Sequence, residues 1–239
     1  MGRFSEPLAV QFAQLARVRS GQRVLDVGCG PGALTAQLAR RLDSGGVSAV
    51  DPSASFVAAI RDRFPQVSVQ RGVAEQMPFA DRSFDAALAQ LVVQFMSDPV
   101  GGLGEMARVT RPGGLVAACV WDHAGGSGPL APFWQAVHDL DPSAPDEALL
   151  PGTGEGELAE LCAAAGLQHI EPGSLTVEIG FASFAGWWEP FTLGVGPAGA
   201  YVRQLDAAKR EALRVRCAQI LAPAPFQIRA TAWCVRAQA

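Results

Sequence analysis

A glycine-rich segment near the N-terminus carries the residues best suited to bind a ligand. Gly28-x-Gly30-x-x-Ala33 fits the G-x-G-x-x-G/A pattern of nucleotide-binding loops, and Asp51 lies 21 residues after Gly30. Glycines let the backbone approach a ligand closely, and the helix that follows offers unpaired N–H groups. A carboxylate at the end of the next strand accepts hydrogen bonds from ribose hydroxyls. The spacing therefore predicts a site for an adenosine-containing cofactor.

Asp26 distinguishes between the cofactors that such a loop binds. It interrupts the apolar run of residues 24–27, two residues before Gly28. A buried carboxylate needs a partner, and it repels the pyrophosphate of a dinucleotide while it attracts an α-ammonium group. S-adenosylmethionine carries such a group on its methionine end. Asp26 therefore favours S-adenosylmethionine, although the glycine pattern also fits an NAD(P)-dependent oxidoreductase.

The elements around this loop alternate between short apolar strands and amphipathic helices. The sequence predicts strands near residues 23–27, 47–50, 67–69, 84–89, 115–120, 175–179 and 226–235. Helices with apolar residues at helical spacing are expected between most of them, and Gly194–Gly199 is expected to form a loop. This alternation is typical of βαβ units. We therefore predict an α/β fold with a doubly wound parallel sheet.

Composition limits the class of protein. The chain has 239 residues, of which 49% are hydrophobic and 18% are charged, so intrinsic disorder is excluded. A net charge of −4 and the absence of a basic aromatic stripe argue against a nucleic-acid partner. No apolar run is long enough to span a membrane, and residues 1–19 lack the apolar core of a secretory signal. The cysteines and histidines show no metal-ligand spacing, so we expect reduced thiols, a cytoplasmic location and no metal.

Several motifs, taken in order, resemble one enzyme family. Residues 24–32, with the sequence VLDVGCGPG, resemble motif I of the class I S-adenosylmethionine-dependent methyltransferases. The resemblance continues through residues 50–53, 72–79, 83–90 and 111–114, and covers about residues 20–122. The chain most resembles the type 11 branch, which includes ubiquinone- and menaquinone-type and other small-molecule methyltransferases.

The resemblance implies a complete architecture. The expected fold is a mostly parallel seven-stranded sheet with an antiparallel last strand and a helical cap, in a single methyltransferase domain over residues 1–239. Residues 20–122 would form the cofactor-binding core. Residues 1–19, 123–153 and 181–222 would form cap or substrate-side elements.

The resemblance also implies which residues hold S-adenosylmethionine. They are Asp26, Gly28, Cys29, Gly30, Asp51, Pro52, Ser53, Ala74, Glu75, Gln90 and Leu91. Asp26 would face the methionine part, Asp51 the ribose hydroxyls and Glu75 the edge of the adenine. Gln90 would lie near the transferring methyl group. Val73 stands where relatives often carry an aspartate that binds the adenine amino group, so Glu75 or a backbone carbonyl would replace that contact.

Methyl transfer places few demands on catalytic side chains. The cofactor supplies the electrophile, and the protein aligns the reactants and excludes water. His123 follows the fifth strand, at the sheet edge where ligands bind, and is the candidate general base; a solvated loop position is the alternative. Gln94, Trp121, Trp134 and Trp187 are candidate substrate residues, although each also fits ordinary core packing. These residues favour an apolar or aromatic small-molecule acceptor.

Other functions stay open at this stage. The chain fits a non-catalytic S-adenosylmethionine-binding module and, less well, an NAD(P)-dependent oxidoreductase. The absence of a G-x-S-x-G motif argues against a serine hydrolase, and the absence of a Walker A loop argues against a P-loop NTPase. The sequence fits either a monomer or a homodimer.

Overall fold

The computed structural model describes residues 2–194 and 196–239 and contains a seven-stranded sheet with the order β3-β2-β1-β4-β5-β7-β6. The strands are β1 (Val24–Val27), β2 (Val47–Asp51), β3 (Ser68–Arg71), β4 (Phe84–Gln90), β5 (Thr110–Trp121), β6 (Gln168–Phe181) and β7 (Phe226–Gln238). Neighbouring strands among β1 to β5 pair in parallel, whereas β7 is antiparallel to both β5 and β6. The predicted doubly wound, mostly parallel sheet with an antiparallel last strand is confirmed.

Helices cover both faces of the sheet. They are α1 (Gly2–Ala16), α2 (Ala33–Ala39), α3 (Ala54–Arg63), α4 (Pro99–Val109), α5 (Ala131–Leu140), α6 (Glu157–Ala164), α7 (Phe184–Thr192), α8 (Gly196–Gln204) and α9 (Ala207–Ile220). Side chains cap several N-termini: Ser53 accepts an N–H at the start of α3, Asp98 at α4 and Asp206 at α9. Such caps satisfy backbone donors that the helix itself leaves unpaired.

The apolar strands divide their side chains between two cores. Val24 of β1, Leu88 of β4 and Trp121 of β5 pack into the core that includes α1, α2 and α3. Leu25 and Val27 point the other way, into the core that includes α4 and α6. Because side chains alternate along a strand, Asp26 shares the face of Val24 and projects toward α2.

The strand order creates a crevice at the carboxyl edge of the sheet. The order reverses between β1 and β4, so the connections after these two strands leave in opposite directions. Ligands in doubly wound sheets bind at such a switch point. The residues at or just beyond these strand ends, including Gly28, Asp51 and Gln90, are therefore held at a single edge.

One predicted loop is a helix. The glycines of Gly194–Gly199 predict a loop, but α8 begins at Gly196 and continues to Gln204. Ala198 and Val202 of α8 are buried against the aromatic helices, and this packing outweighs the low helix propensity of glycine. The prediction of a loop is therefore wrong over residues 196–199, and Val195 lies outside the described residues.

Candidate cofactor and acceptor site

The carboxylate of Asp51 ties the glycine loop to the end of β2. Its Oδ2 accepts the N–H of Gly30 at 2.8 Å, and its Oδ1 accepts the N–H of Ser53 at 2.8 Å. These two bonds fix the plane of the carboxylate while each oxygen keeps a second lone pair. Asp51 is therefore held in place to accept hydroxyl hydrogens from a vicinal diol.

Gly30 forms the floor of this part of the site. Its φ is +51°, a left-handed conformation that glycine adopts at low cost, and a Cβ at this position would meet no heavy atom within 4 Å. The space beside its Cα is therefore a cradle that a side chain would fill. An approaching ligand gains access to the backbone there.

Asp26 lies deeper in the same crevice. It is 1% exposed, and its Oδ2 accepts the hydroxyl hydrogen of Thr35 in α2 at 2.6 Å. Burial raises the pKa of Asp26 to about 7, and the nearby charge of Asp51 adds to this rise while the Thr35 bond opposes it. A buried carboxyl group in this condition strongly favours a cationic partner. The two acids therefore fit a ligand that carries an ammonium group at one end and a diol at the other.

The chain that follows β4 closes one side of the crevice. Leu91 has a φ of +61°, which is unusual for a residue with a side chain, and its N–H donates to the carbonyl of Cys119 at 2.8 Å. Val92 packs against the backbone of Gly28, where an added Cβ would lie 2.5 Å from a methyl group of Val92. Cys29 is buried, and burial raises the pKa of its thiol, so it is a packing residue and not a nucleophile.

The predicted adenine side is organised by Glu75. Its Oε1 accepts the backbone N–H of Ser97 at 2.7 Å and the Ser97 hydroxyl hydrogen at 2.8 Å. These bonds connect the segment after β3 to the start of α4, and Ala74 beside Glu75 is buried. Pro52 contributes its carbonyl, which accepts the Arg71 side chain at 3.0 Å. Glu75 thus shapes this end of the site through its carboxylate.

Three exposed apolar side chains lie near the same strand ends, and the sequence does not predict them as a group. Phe56, Val73 and Phe95 follow β2, β3 and β4 respectively, and all three are exposed. Exposed aromatic side chains beside a crevice provide surface for a planar ring. The sequence offers no separate signal for Phe56 and Phe95, because their positions on a helix and a short turn also fit core packing.

Gln90, Gln94 and Trp121 each bury a polar atom without a hydrogen-bond partner among the described residues. The atoms are Oε1 of both glutamines and Nε1 of the tryptophan. Gln90 also donates from Nε2 to the carbonyl of Ser5 in α1 at 3.0 Å. Phe4 of α1 packs edge-on against Trp121, with ring centroids 6.3 Å apart. The N-terminal turn of α1 therefore covers the ends of β4 and β5.

His123 and Trp134 both lie beside Glu147, a residue that the sequence does not predict to be part of the site. Glu147, which is 2% exposed, accepts the indole N–H of Trp134 at 3.1 Å, and its other oxygen lies 3.8 Å from Nε2 of His123. Burial lowers the pKa of His123 to about 4 and raises that of Glu147. His123 is therefore neutral near pH 7. Both His123 and Trp134 also line a cavity of about 260 Å³, together with His138 and Asp146.

Trp187 lies in an aromatic cluster formed mainly by α5 and α7. Its ring is 4.9 Å from that of Phe191 and 5.8 Å from that of Phe184, and it is buried, as is Trp188. Phe133 of α5 stacks on Phe191 at 4.7 Å. These contacts give Trp187 a packing role within the helical cap.

Within residues 2–194 and 196–239, no group of three or more His, Cys, Asp or Glu side chains is arranged to hold a metal ion. Among the helices of the same residues, none combines the length and the apolar character needed to cross a membrane.

The sequence is similar to known methyltransferases over about half of its length. Residues 25–118 match the family Methyltransf_11, described as a methyltransferase domain. A demethylmenaquinone methyltransferase from Beutenbergia cavernae is 40% identical over 115 residues, which are 48% of this chain and 45% of that protein. A malonyl-(acyl-carrier protein) O-methyltransferase from Erwinia billingiae is 37% identical over 141 residues, which are 59% of this chain and 54% of that protein. The chain spans about half the length of the curated relatives it matches.

The structural similarity extends further than the sequence similarity. A solved structure described as a methyltransferase from an antibiotic biosynthesis pathway of Anabaena variabilis matches with a TM-score of 0.65. The match covers 98% of this chain and 97% of that chain, at 18% identity. At this identity the match establishes the fold alone, and the roles of the site residues depend on their own chemistry and contacts.

Proposed function

We propose that this chain, whose residues 25–118 match the methyltransferase domain of the Methyltransf_11 family, transfers a methyl group from S-adenosylmethionine to an apolar or aromatic small molecule. The observation that carries the proposal is the pair of acids at the glycine loop. Asp26 is buried and suited to a cation, and Asp51 is held by Gly30 and Ser53 so that it accepts from a diol. S-adenosylmethionine presents an ammonium group and a ribose diol within one molecule.

The residues of the chain mainly bind and orient. Asp26 would pair with the ammonium group, and Asp51 with the ribose hydroxyls. Ala74 and Glu75 would flank the adenine together with Phe56 or Phe95. When bound, the cofactor supplies an electrophilic methyl group on a sulfonium ion, so the protein needs no electrophile of its own. The N-terminal turn of α1 covers the strand ends and would exclude water there.

The acceptor would bind beneath α1 and beside the aromatic residues at the ends of β5 and β6. Phe4, Trp121 and Phe181 form a continuous set of ring contacts at this place. His123 remains the proposed catalytic residue, with Gln94, Trp134 and Trp187 as further substrate residues. Its low pKa and its position beside Glu147 mean that it would act as a neutral hydrogen-bond acceptor.

We also infer the setting in which the protein works. The five cysteines are all free thiols and all buried, as in reducing compartments, which supports a cytoplasmic location. The acidic net charge supports a small-molecule partner and not a nucleic acid. We propose that residues 1–239 act as one domain, as a monomer or a homodimer, with residues 20–122 as the cofactor-binding core.

Calorimetry with S-adenosylmethionine, S-adenosylhomocysteine and NADH tests the cofactor. Micromolar binding of the first two ligands and none of NADH is the expected result. Binding of NADH alone would overturn the proposal and assign Asp51 to a dinucleotide ribose. Once an acceptor is found, His123→Ala should lower turnover while cofactor binding stays intact; unchanged turnover would remove His123 from the proposed mechanism.

A further inference from the structure

Two buried polar atoms that have no partner among the described residues belong to side chains on the same face of neighbouring strands. In the parallel pairing of β4 and β5, Gln90 is opposite Cys119, so their side chains share a face. Trp121 lies two residues beyond Cys119 and therefore also projects on that face. Diagonal neighbours of this kind have Cα atoms about 7–8 Å apart, within reach of two long side chains. Oε1 of Gln90 and Nε1 of Trp121 thus lie in one region of the sheet edge.

The N-terminal turn of α1 confirms that these side chains converge. Nε2 of Gln90 donates to the carbonyl of Ser5, and the Trp121 ring packs against Phe4, the preceding residue of the same helix. Phe4 also contacts Phe181 at 6.2 Å between ring centroids. The two polar atoms therefore lie under one helical turn and beside aromatic rings.

The chemistry of the two atoms is complementary. An amide oxygen needs a donor and an indole N–H needs an acceptor, and leaving either unpaired in a buried place is unfavourable. A hydroxyl group is both donor and acceptor, so one hydroxyl can satisfy both atoms. A carboxylate cannot donate to Gln90 and would also be repelled by Asp26, which projects from the same face of β1.

We propose that Gln90 and Trp121 form a subsite that holds the hydroxyl group of an aromatic acceptor beneath the N-terminal turn of α1. This inference rests on the proposed methyltransferase function and deepens it by naming the acceptor class. It also moves Gln90 from the cofactor to the acceptor. The indole N–H of Trp121 accordingly determines specificity, because it separates a hydroxylated ring from the same ring without the hydroxyl.

The test uses phenol and toluene as probes, since they differ mainly in the hydroxyl group. The full chain, labelled with ¹⁵N and saturated with S-adenosylhomocysteine, is titrated with each probe while the indole N–H signals are recorded. The five tryptophans give separate signals, and Trp121→Phe assigns the relevant one. Because the indole N–H of Trp121 has no partner among the described residues, this substitution removes no hydrogen bond that the structure shows.

Trp233 provides the matched control. Its Nε1 is also buried and without a partner among the described residues, but it lies in the core on the opposite face of the sheet. We expect phenol to bind about tenfold more tightly than toluene and to move the Trp121 signal, which corresponds to one net hydrogen bond. Trp121→Phe and Gln90→Leu should abolish this preference, and Trp233→Phe should preserve it.

Three results would overturn the subsite. One is equal affinity for the two probes or no movement of the Trp121 signal. Another is a preference for phenol that survives Trp121→Phe. The third is a Gln90→Leu variant that loses S-adenosylhomocysteine affinity, which would return Gln90 to the cofactor. Failure of the wild-type chain to bind S-adenosylhomocysteine would instead count against the proposed function, and the two failures are therefore distinguishable.

Discussion

At the scale of residues, the two carboxylates proposed to bind the cofactor have different surroundings. Asp51 receives two backbone N–H groups, which stabilise its charge and set its orientation before any ligand arrives. Asp26 receives the hydroxyl hydrogen of Thr35 and is almost completely buried. Its ionised form is therefore costly until a cation is present. If the ammonium group of the cofactor binds there as we propose, its charge offsets this cost.

Asp51→Ala should weaken cofactor binding without unfolding the protein. The change removes two charge-assisted hydrogen bonds to ribose hydroxyls, so we expect the affinity for S-adenosylhomocysteine to fall by about 100-fold. It also leaves the N–H groups of Gly30 and Ser53 unpaired, at a cost of about 1–3 kcal/mol in stability. Calorimetry and urea unfolding measure the two effects. Unchanged binding by a folded variant would contradict the assignment of Asp51 to the ribose.

Asp26→Asn should weaken ligand binding and stabilise the folded protein. The pKa of Asp26 is 3.8 in its ordinary state and about 7 in the fold. Between these values the folded state keeps a proton that the unfolded chain releases, so the free energy of unfolding falls as pH rises from about 4 to 7. The amide keeps the Thr35 bond without a charge. We therefore expect the variant to be more stable than wild type near pH 8, by up to about 4 kcal/mol, and equally stable near pH 4.

The same variant has a matched test in ligand binding. An amide does not neutralise an ammonium group, so Asp26→Asn should lose at least about tenfold in affinity for S-adenosylmethionine. Thr35→Val, which removes the hydroxyl beside Asp26 but keeps the carboxylate, serves as the control. Urea titrations at two pH values, combined with calorimetry, follow both properties. A less stable variant that binds normally would show that Asp26 is a structural acid.

At the scale of elements, α1 is the helix that covers the proposed acceptor side. It packs against α2 and β6, and its N-terminal turn covers the ends of β4 and β5. Phe4→Ala would remove a buried ring that contacts both Trp121 and Phe181. We expect a loss of about 3 kcal/mol in stability and faster hydrogen exchange at the Trp121 indole.

Val10 offers a comparison on the same helix. It is 36% exposed, so Val10→Ala should change stability by less than about 0.5 kcal/mol and leave exchange at Trp121 unaltered. Hydrogen exchange followed by NMR distinguishes the two variants. Equal exchange rates in Phe4→Ala and Val10→Ala would mean that the N-terminal turn of α1 does not protect this edge.

The elements that the sequence predicts well are those with local signals. β1, α2 and β2 lie within residues 24–51, where the sequence shows an apolar run, a glycine-rich loop and an acidic residue at the end of a strand. Asp26, Gly30 and Asp51 therefore occupy the strand and loop positions that the sequence predicts. The first half of β6, residues 168–174, shows no alternation and includes Pro172 and Gly173. Its strand conformation comes from pairing with β7, more than 50 residues away. The formation of α8 similarly depends on packing that no local pattern reports.

The contacts of Glu147 with Trp134 and His123 could not be predicted from the local sequence. Glu147 lies in a segment rich in glycine and proline, with neither helical nor strand periodicity, and nothing in its neighbours marks it as buried. The fold brings it between Trp134 and His123, and burial then shifts the pKa of both titratable groups. The ordinary pKa of histidine suggested a base that titrates near neutral pH. Burial lowers the pKa of His123 to about 4, so the role we propose for it is that of a neutral hydrogen-bond acceptor.

At the scale of the whole molecule, the question is whether the matched family segment and the rest of the chain behave as one unit. The family match ends at residue 118, within β5, yet β7 pairs with β5 from Leu115 to Trp121 and joins β6 to the same sheet. The core that contains Val24 and Leu88 also contains Trp187 and Phe191 of α7. Within residues 2–194 and 196–239, one continuous core therefore joins the proposed cofactor-binding core to the proposed cap.

The chain should therefore unfold in one transition and gain stability everywhere when the cofactor binds. At 100 times its Kd, S-adenosylhomocysteine stabilises the folded state by about 2.7 kcal/mol, which raises the Tm by roughly 5–10 °C. Because cooperative unfolding spreads this gain through the sheet, the indole N–H signals of Trp187 and Trp188 in the cap and the amide signals of β1 should report the same midpoint. NADH should shift neither probe, and Asp51→Ala should remove the shift at the same ligand concentration. A rise confined to the amides of β1, with the tryptophan transition unchanged, would show that the cap folds independently of the cofactor-binding core.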